Sequence, residues 1–214
     1  MATCHSVPTG PAIAGGPSPQ GLSNSAESPN NEQSQKDCQP WTLEVVTANI
    51  NSWATFKMRW ASEGEPREIR SATILLLQET HLVTPEQCTD AAEWMEVRGW
   101  LAIFSPALRQ ESGKSSGGVA ICVWKRADVG ATKPEVKNDS PHRLVAVKLQ
   151  VAGLPPMLVV SAYLQAAVGL NRHNRTLLAT VASWQEAHCL PILMGGDFNV
   201  RARIIQNTDF LTRA

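Results

Sequence analysis

The stretch Gly195-Gly196-Asp197-Phe198-Asn199-Val200 directly follows the apolar run Pro191-Ile192-Leu193-Met194, and it restricts the fold of this 214-residue chain more than any other segment. An apolar run ended by two glycines reads as a strand that stops where a ligand or another backbone comes close. A carboxylate and an amide are then delivered at its carboxyl end, on opposite faces of the pleat or splayed by a turn. That arrangement suits a phosphate and a metal, although Gly-Gly-Asp after a strand also serves as a plain turn.

Other strands end in a similar way. Thr73-Ile74-Leu75-Leu76-Leu77-Gln78-Glu79-Thr80-His81 puts Glu79 at the carboxyl end of a run apolar enough to be buried on both faces. A carboxylate there needs hydrogen bonds or a cation, or else it opens a solvated loop. Magnesium-like ions take one or two carboxylates together with waters and substrate phosphate, a demand that one Glu and one Asp can meet. Leu43-Glu44-Val45-Val46-Thr47-Ala48 gives way to Asn49, which equally fits a turn. Leu158-Val159-Val160-Ser161-Ala162 ends on Tyr163, the only Tyr in the chain, which equally fits a core residue with a satisfied hydroxyl. Ser115-Ser116-Gly117-Gly118 is a glycine turn opening the apolar strand Val119-Ala120-Ile121-Cys122-Val123.

Taken in order, Asn49, Glu79, Gly117-Gly118, Tyr163 and Asp197-x-Asn199 resemble the endonuclease/exonuclease/phosphatase superfamily, the fold of DNase I and the apurinic/apyrimidinic endonucleases. The segments Thr47–Trp53, Leu77–His81, Ser116–Ile121 and Gly195–Val200 are most similar to endonuclease domains of non-LTR retrotransposons. The resemblance covers roughly residues 41–214. It implies a magnesium-dependent, DNA-nicking phosphodiesterase, with manganese as a substitute ion. Glu79 would be the metal ligand and Asn49 a polar partner beside it. Asp197 would orient or activate the attacking water, and Asn199 and Tyr163 would contact the scissile phosphate.

The chain also departs from that pattern. The family closes its site with a later Asp near an aromatic residue and a terminal Ser-Asp-His, and no such segment precedes Ala214. Gln165-Ala166 stands where Pro-Asn often follows the family's Tyr. The expectation is therefore the amino-terminal two-thirds of the domain, with impaired catalysis, an exposed apolar face and an unpaired sheet edge. Two further readings stand beside it. One is a phosphoesterase of the same fold acting on a small molecule or lipid head group. The other is a non-catalytic remnant or phosphate-binding module.

Charge adds little. The chain has 19 Lys and Arg against 19 Asp and Glu. The first forty residues hold one Lys and three acidic residues, which leaves 18 against 16 in residues 41–214. This is not the basic stripe of a dedicated nucleic-acid binder. The one cluster is Asn171-Arg172-His173-Asn174-Arg175, where Arg172 and Arg175 either clamp a phosphate backbone or decorate a solvated helical turn. None of the five His falls at metal-ligand spacing with a Cys or another His. The five Cys are odd in number and scattered, a reduced intracellular pattern in which Cys122 and Cys189 read as small hydrophobes. No basic and apolar leader opens the chain, and no apolar run is long enough to span a bilayer. The expectations are an intracellular protein, nuclear or cytoplasmic and not secreted. It would be monomeric, with DNA as partner, no membrane and no small-molecule cofactor.

Residues 1–40 are rich in Pro, Gly, Ser, Asn and Gln and read as a disordered lead. From 41 onward strands are expected near 43–49, 73–78, 100–104, 118–124, 143–151, 157–163 and 191–197. Helices are expected at 53–62, from Thr84 to about Val97, and at 171–188. Successive strands without a helix between them argue against a doubly wound parallel sheet. They favour an α/β fold of two packed mixed sheets flanked by helices, a DNase I-like four-layer sandwich that is incomplete.

Overall fold

Ile74, Leu75, Leu76 and Leu77 are all buried, and their alternation assigns each to one of two different cores. Leu75 and Leu77 pack toward helices, whereas Ile74 and Leu76 face a second sheet. A strand apolar on both sides is what a layered sandwich demands of its central strands. The computed structural model of the protein describes residues 43–125, 129–132, 142–151 and 154–206. The expected disordered lead lies outside the described residues.

The first sheet contains β1 (Val45–Asn49), β2 (Ile74–Gln78), β3 (Trp100–Ser105) and β6 (Val119–Trp124), in the order β1-β2-β6-β3. β1 and β2 are parallel; β6 runs antiparallel to both β2 and β3. A two-residue ladder joins β4 (Leu108–Arg109) to β5 (Ser115–Ser116). The second sheet contains β7 (Val129–Thr132), β8 (Leu144–Val151), β9 (Met157–Tyr163) and β10 (Ile192–Asp197), in the order β10-β9-β8-β7. β10 is parallel to β9, and the other pairs are antiparallel.

Three cores separate four layers. Helices α1 (Trp53–Glu63) and α2 (Pro85–Glu96) cover the outer face of the first sheet through Trp53, Phe56, Ala91 and Met95. Ile74, Leu76, Val119 and Ile121 meet Val145, Val147, Val159 and Tyr163 between the sheets. Helix α3 (Arg172–His188) closes the far face, laying Leu177, Leu178, Val181 and Trp184 on Leu144, Ala146, Leu158 and Val160. The expected two-sheet sandwich is therefore the observed fold. A short helix, α4 (Ala202–Gln206), ends the described chain.

The helix ends follow from local chemistry. Thr84 caps α2: its Oγ1 accepts from the Gln87 N–H at 3.3 Å while Gln87 Oε1 accepts from the Thr84 N–H at 3.2 Å, with Pro85 at the first position. Asn171 caps α3 by accepting from the Asn174 N–H at 2.9 Å. Cys122 is the buried small hydrophobe expected, its thiol pushed up by burial. Cys189 is not: it is exposed at the left-handed residue that ends α3, so the apolar flank of its sequence was misleading.

Candidate active site

Two βαβ units, β1-α1-β2 and β9-α3-β10, aim their parallel strands at the same rim. In open α/β sheets, ligands bind outside the carboxyl ends of such strands. Registers fix what arrives there. Asn49 pairs with Gln78 in the first sheet, and Asp197 pairs with Tyr163 in the second.

Two side-chain hydrogen bonds then cross from one sheet to the other. Asn49 Nδ2 donates to Asp197 Oδ2 at 3.1 Å, and the Tyr163 hydroxyl donates to Glu79 Oε1 at 2.6 Å. The sequence motifs thus converge: Asn49, Glu79, Tyr163 and Asp197, separated by up to 148 positions, form one cluster. Asn199 joins through its backbone, whose N–H donates to Asp197 Oδ1 at 3.2 Å. Its Nδ2 donates to the Leu164 carbonyl at 2.9 Å, which fixes the amide against the chain that follows β9.

Beneath the cluster lies a buried polar link. Gln78 Nε2 donates to Ser161 Oγ at 3.1 Å, and Ser161 Oγ donates to the Leu77 carbonyl at 3.3 Å. Thr47 Oγ1 donates to Gln78 Oε1 at 3.3 Å. Buried polar groups are stable when partnered, and here each partner belongs to a strand that must be held in register. The link lies one residue before Glu79 and two before Tyr163, so it sets the spacing that their hydrogen bond spans.

Glu79 and His81 each have φ of 57°. A left-handed backbone at non-glycine residues costs roughly 1 to 3 kcal/mol and clusters at functional sites. Gly118 permits the bend. The Thr80 N–H donates to its carbonyl at 3.1 Å, and a Cβ on Gly118 would overlap Thr80 Oγ1. This is the physical use of the Ser-Gly-Gly-Val motif.

Sequence reading missed two neighbours of the cluster. His81 shares its Nδ1 with Ser115 Oγ at 2.9 Å and brings Nε2 to 3.8 Å from Glu79 Oε2. Its position directly after the Glu79 motif was the available signal. Arg143 holds its guanidinium carbon 4.9 Å from the centre of the Tyr163 ring and donates from Nη2 to Ser116 Oγ at 3.0 Å. No sequence signal marks it, because its place depends on how β8 pairs with β9.

Tyr163 is pushed up to about 12 by burial, then by its hydrogen bond to Glu79 and by the Glu79 charge, with Asp197 adding and Arg143 opposing. Both carboxylates therefore act on this hydroxyl, and it stays protonated as a donor across the physiological range.

Arg172 and Arg175 are exposed on the first turn of α3 and take no part in these hydrogen bonds. They line a shallow depression with Leu170, Thr176 and Ala179, and Arg175 Nε donates to the Leu170 carbonyl at 2.8 Å. Between them Asn174 is fully buried. It accepts from the Gln165 N–H at 2.8 Å and donates to the carbonyls of Gln165 and Gly169, pinning the loop after Tyr163.

The donor set suits a hard divalent cation: two carboxylates and two amides, with no thiol. Among the described residues no three His, Cys, Asp or Glu gather to hold a metal by protein ligands alone. Magnesium does not require that, since it retains waters and shares substrate oxygens. Among the described residues no helix is long and apolar enough to cross a membrane.

No protein-family model matches the chain, and no curated protein matches it. Solved structures do. The human Nocturnin catalytic domain with bound sulfate anion is similar at 19% identity and a TM-score of 0.49, over 73% of this chain and 64% of that one. ANGEL2, a 2',3'-cyclic phosphatase, is similar at 19% identity and a TM-score of 0.47, over 72% of this chain and 52% of that one. An endonuclease/exonuclease/phosphatase from Beutenbergia cavernae is similar at 19% identity and a TM-score of 0.47, over 73% of this chain and 47% of that one. The chain thus spans about half to two-thirds of the length of these structures.

Proposed function

We propose that this chain is a divalent-metal-dependent phosphodiesterase of the endonuclease/exonuclease/phosphatase type that nicks DNA, of the non-LTR retrotransposon kind. The observation that carries the reading is the pair of cross-sheet hydrogen bonds, Asn49 to Asp197 and Tyr163 to Glu79. They gather acidic and amide groups at the carboxyl ends of four strands, where a phosphodiester can be approached from one side.

Glu79 would hold magnesium, with Asn49 and Asp197 beside it. When bound, the ion neutralises phosphate charge and lowers the pKa of its water. The protein's own groups do the rest. Asp197 is fixed from two directions, by the Asn49 amide and the Asn199 N–H, so one carboxylate orientation faces the attacking water. Tyr163, kept protonated, orients Glu79 by donating to it, and would contact the scissile phosphate by turning that same O–H from Glu79 to a phosphate oxygen. Asn199, braced on Leu164, presents the rest of its amide to the same phosphate.

The substrate class is tested by offering the purified chain supercoiled plasmid, an inositol phosphate and sphingomyelin under the same magnesium conditions. Nicked plasmid without release from the other two is the expected result. Preferential hydrolysis of either small phosphoester would replace DNA as the substrate.

A further inference from the structure

The sheet orders leave β1 and β10 as edge strands, and among the described residues no strand pairs with the outer side of either. β1 stacks on β10 and β2 on β9, so both edges open on the same side of the sandwich. A Cβ on Gly195 would lie 3.9 Å from Thr47 Cβ, which sets the middle of β10 level with the middle of β1. The Asn49–Asp197 hydrogen bond keeps their carboxyl ends level as well. The two edges therefore run in one direction, about 10 Å apart as in packed sheets.

The ladder bonds fix which backbone groups face out. The Ile74 N–H donates to the Glu44 carbonyl and the Ile50 N–H to the Gln78 carbonyl, so Glu44, Val46, Ala48 and Ile50 face β2. Val45, Thr47 and Asn49 therefore turn their N–H and C=O outward. In β10 the Pro191 and Asp197 carbonyls accept from the Leu158 and Leu164 N–H groups, so Ile192, Met194 and Gly196 turn theirs outward. The inter-sheet core is open along the same side. Ile74 and Leu76 on β2 are fully buried, whereas Val45 is 36% exposed, Thr47 is exposed and Leu193 is half-buried. Edge strands are usually guarded by Lys, Pro or a bulge. Neither Val45–Asn49 nor Ile192–Asp197 holds a Lys, Arg or Pro, and their one charge is Asp197 at the very end.

We infer that this double edge binds a second copy of the chain, edge to edge. A two-fold axis along the sheet normal, through Thr47 and Gly195, sets β1 antiparallel to its mate and β10 antiparallel to its mate in one operation. The hydrogen-bond alternation permits both pairings on that single axis. Thr47 exchanges both bonds with Thr47 of the second copy, and Met194 exchanges both with the second copy's Gly196. Val45 falls opposite the second copy's Asn49, and Leu193 opposite its Asp197. No like charges meet, and the open core is covered. A lone strand from another chain fills one edge, whereas a second copy presents two at the spacing required. The dimer replaces the monomer expected from the sequence, walls Asn49 and Asp197 on one side, and does not depend on the reaction at the strand-end cluster.

Sedimentation equilibrium of the full chain tests it, and the mass should reach twice that of one chain by about 100 μM. Val45→Lys puts a charge at an exposed edge position, and the two-fold repeats it, so the dissociation constant should rise about tenfold or more. Circular dichroism confirms that this variant is folded. Register is read by mild oxidation of Thr47→Cys and Val45→Cys, with the wild-type chain as background for its own five cysteines. Thr47 meets its mate at a Cα spacing of about 5.5 Å, within disulfide reach, whereas the two copies of Val45 lie roughly four residues apart along the strands. Thr47→Cys should therefore give a covalent dimer on non-reducing gels, and Val45→Cys should not. A monomer at the highest concentration would overturn the dimer and leave these edges to a strand from a different protein. A dimer that Val45→Lys leaves equally tight, or Thr47→Cys linking no better than Val45→Cys, would overturn it as well.

Discussion

The Tyr163 hydroxyl donates to Glu79 Oε1 at 2.6 Å across the gap between the two sheets. The residue that closes the inter-sheet core is therefore also the one that aims the proposed metal-binding carboxylate. The hydrogen bond gives the half-buried hydroxyl the partner that the structural reading requires, and the catalytic role of this Tyr is a proposal built on it.

That bond can be titrated, because Tyr163 is the only Tyr in the chain. Absorbance at 295 nm on metal-free protein should show ionisation near 12, against about 10 in urea. Since the folded value lies above the unfolded one, the contribution to stability is fully present below about 10 and is lost as pH rises toward about 12. Glu79→Gln should lower the folded midpoint partway, because burial, the largest cause, remains. A midpoint near 10 in the native protein would remove Tyr163 from the inter-sheet core.

Ser161 is the second-sheet half of the polar link under the site. Ser161→Ala leaves Gln78 and the Leu77 carbonyl short of a partner in a buried place, a loss of about 1 to 2 kcal/mol. Urea denaturation should show the midpoint fall with an unchanged slope. A change in slope instead would mean that the sheets no longer pack as one unit.

Gly196 has φ of 154°, and a Cβ there would overlap the Ala162 carbonyl on the paired strand. Carbonyl backbone cannot yield as a flexible side chain does. Gly196→Ala should therefore cost about 3 kcal/mol, the upper end for overpacking, and displace Asp197. Thermal melts beside the nicking assay check both parts; a melt within 1 °C of the wild type would contradict the close approach.

Much of this was legible in the chain. Runs such as Ile74–Leu77 and Leu158–Ala162 announce strands buried on both faces, and the Thr84–Gln87 capping box announces the start of α2. Four residues of the candidate site were legible because each stands where an apolar run stops. What was not legible depends on register. The Gln78–Ser161 link joins residues 83 apart. Arg143 reaches Tyr163 only because β8 and β9 pair so that the Tyr163 N–H donates to the Arg143 carbonyl at 2.9 Å. The segment Val129–Thr132 lacks the apolar run that marks the other strands, and β4 and β5 are two residues each, too short to leave a pattern. In Asn171–Arg175 the arginines drew notice, yet the buried and fully bonded residue is Asn174.

Asn49 provides a graded test of orientation. Asn49→Ala removes the amide donor to Asp197 while leaving both carboxylates in place. Partners of this kind are worth about 10- to 100-fold in activity or metal affinity. A plasmid-nicking time course should show a loss in that range, and an unchanged rate would mean that Asp197 is oriented by other groups.

The most direct measurement is nicking of supercoiled plasmid by the purified full chain, with magnesium and with EDTA, beside Glu79→Gln and Asp197→Asn. Circular dichroism on each sample confirms that the protein is folded. The expected result is magnesium-dependent conversion to open circles, abolished by EDTA and reduced to background in both variants. Nicking that persists in EDTA or in the variants would contradict a metal-dependent centre at these strand ends, and a folded wild-type chain that leaves the plasmid intact would contradict nicking by this chain and favour the non-catalytic phosphate-binding module.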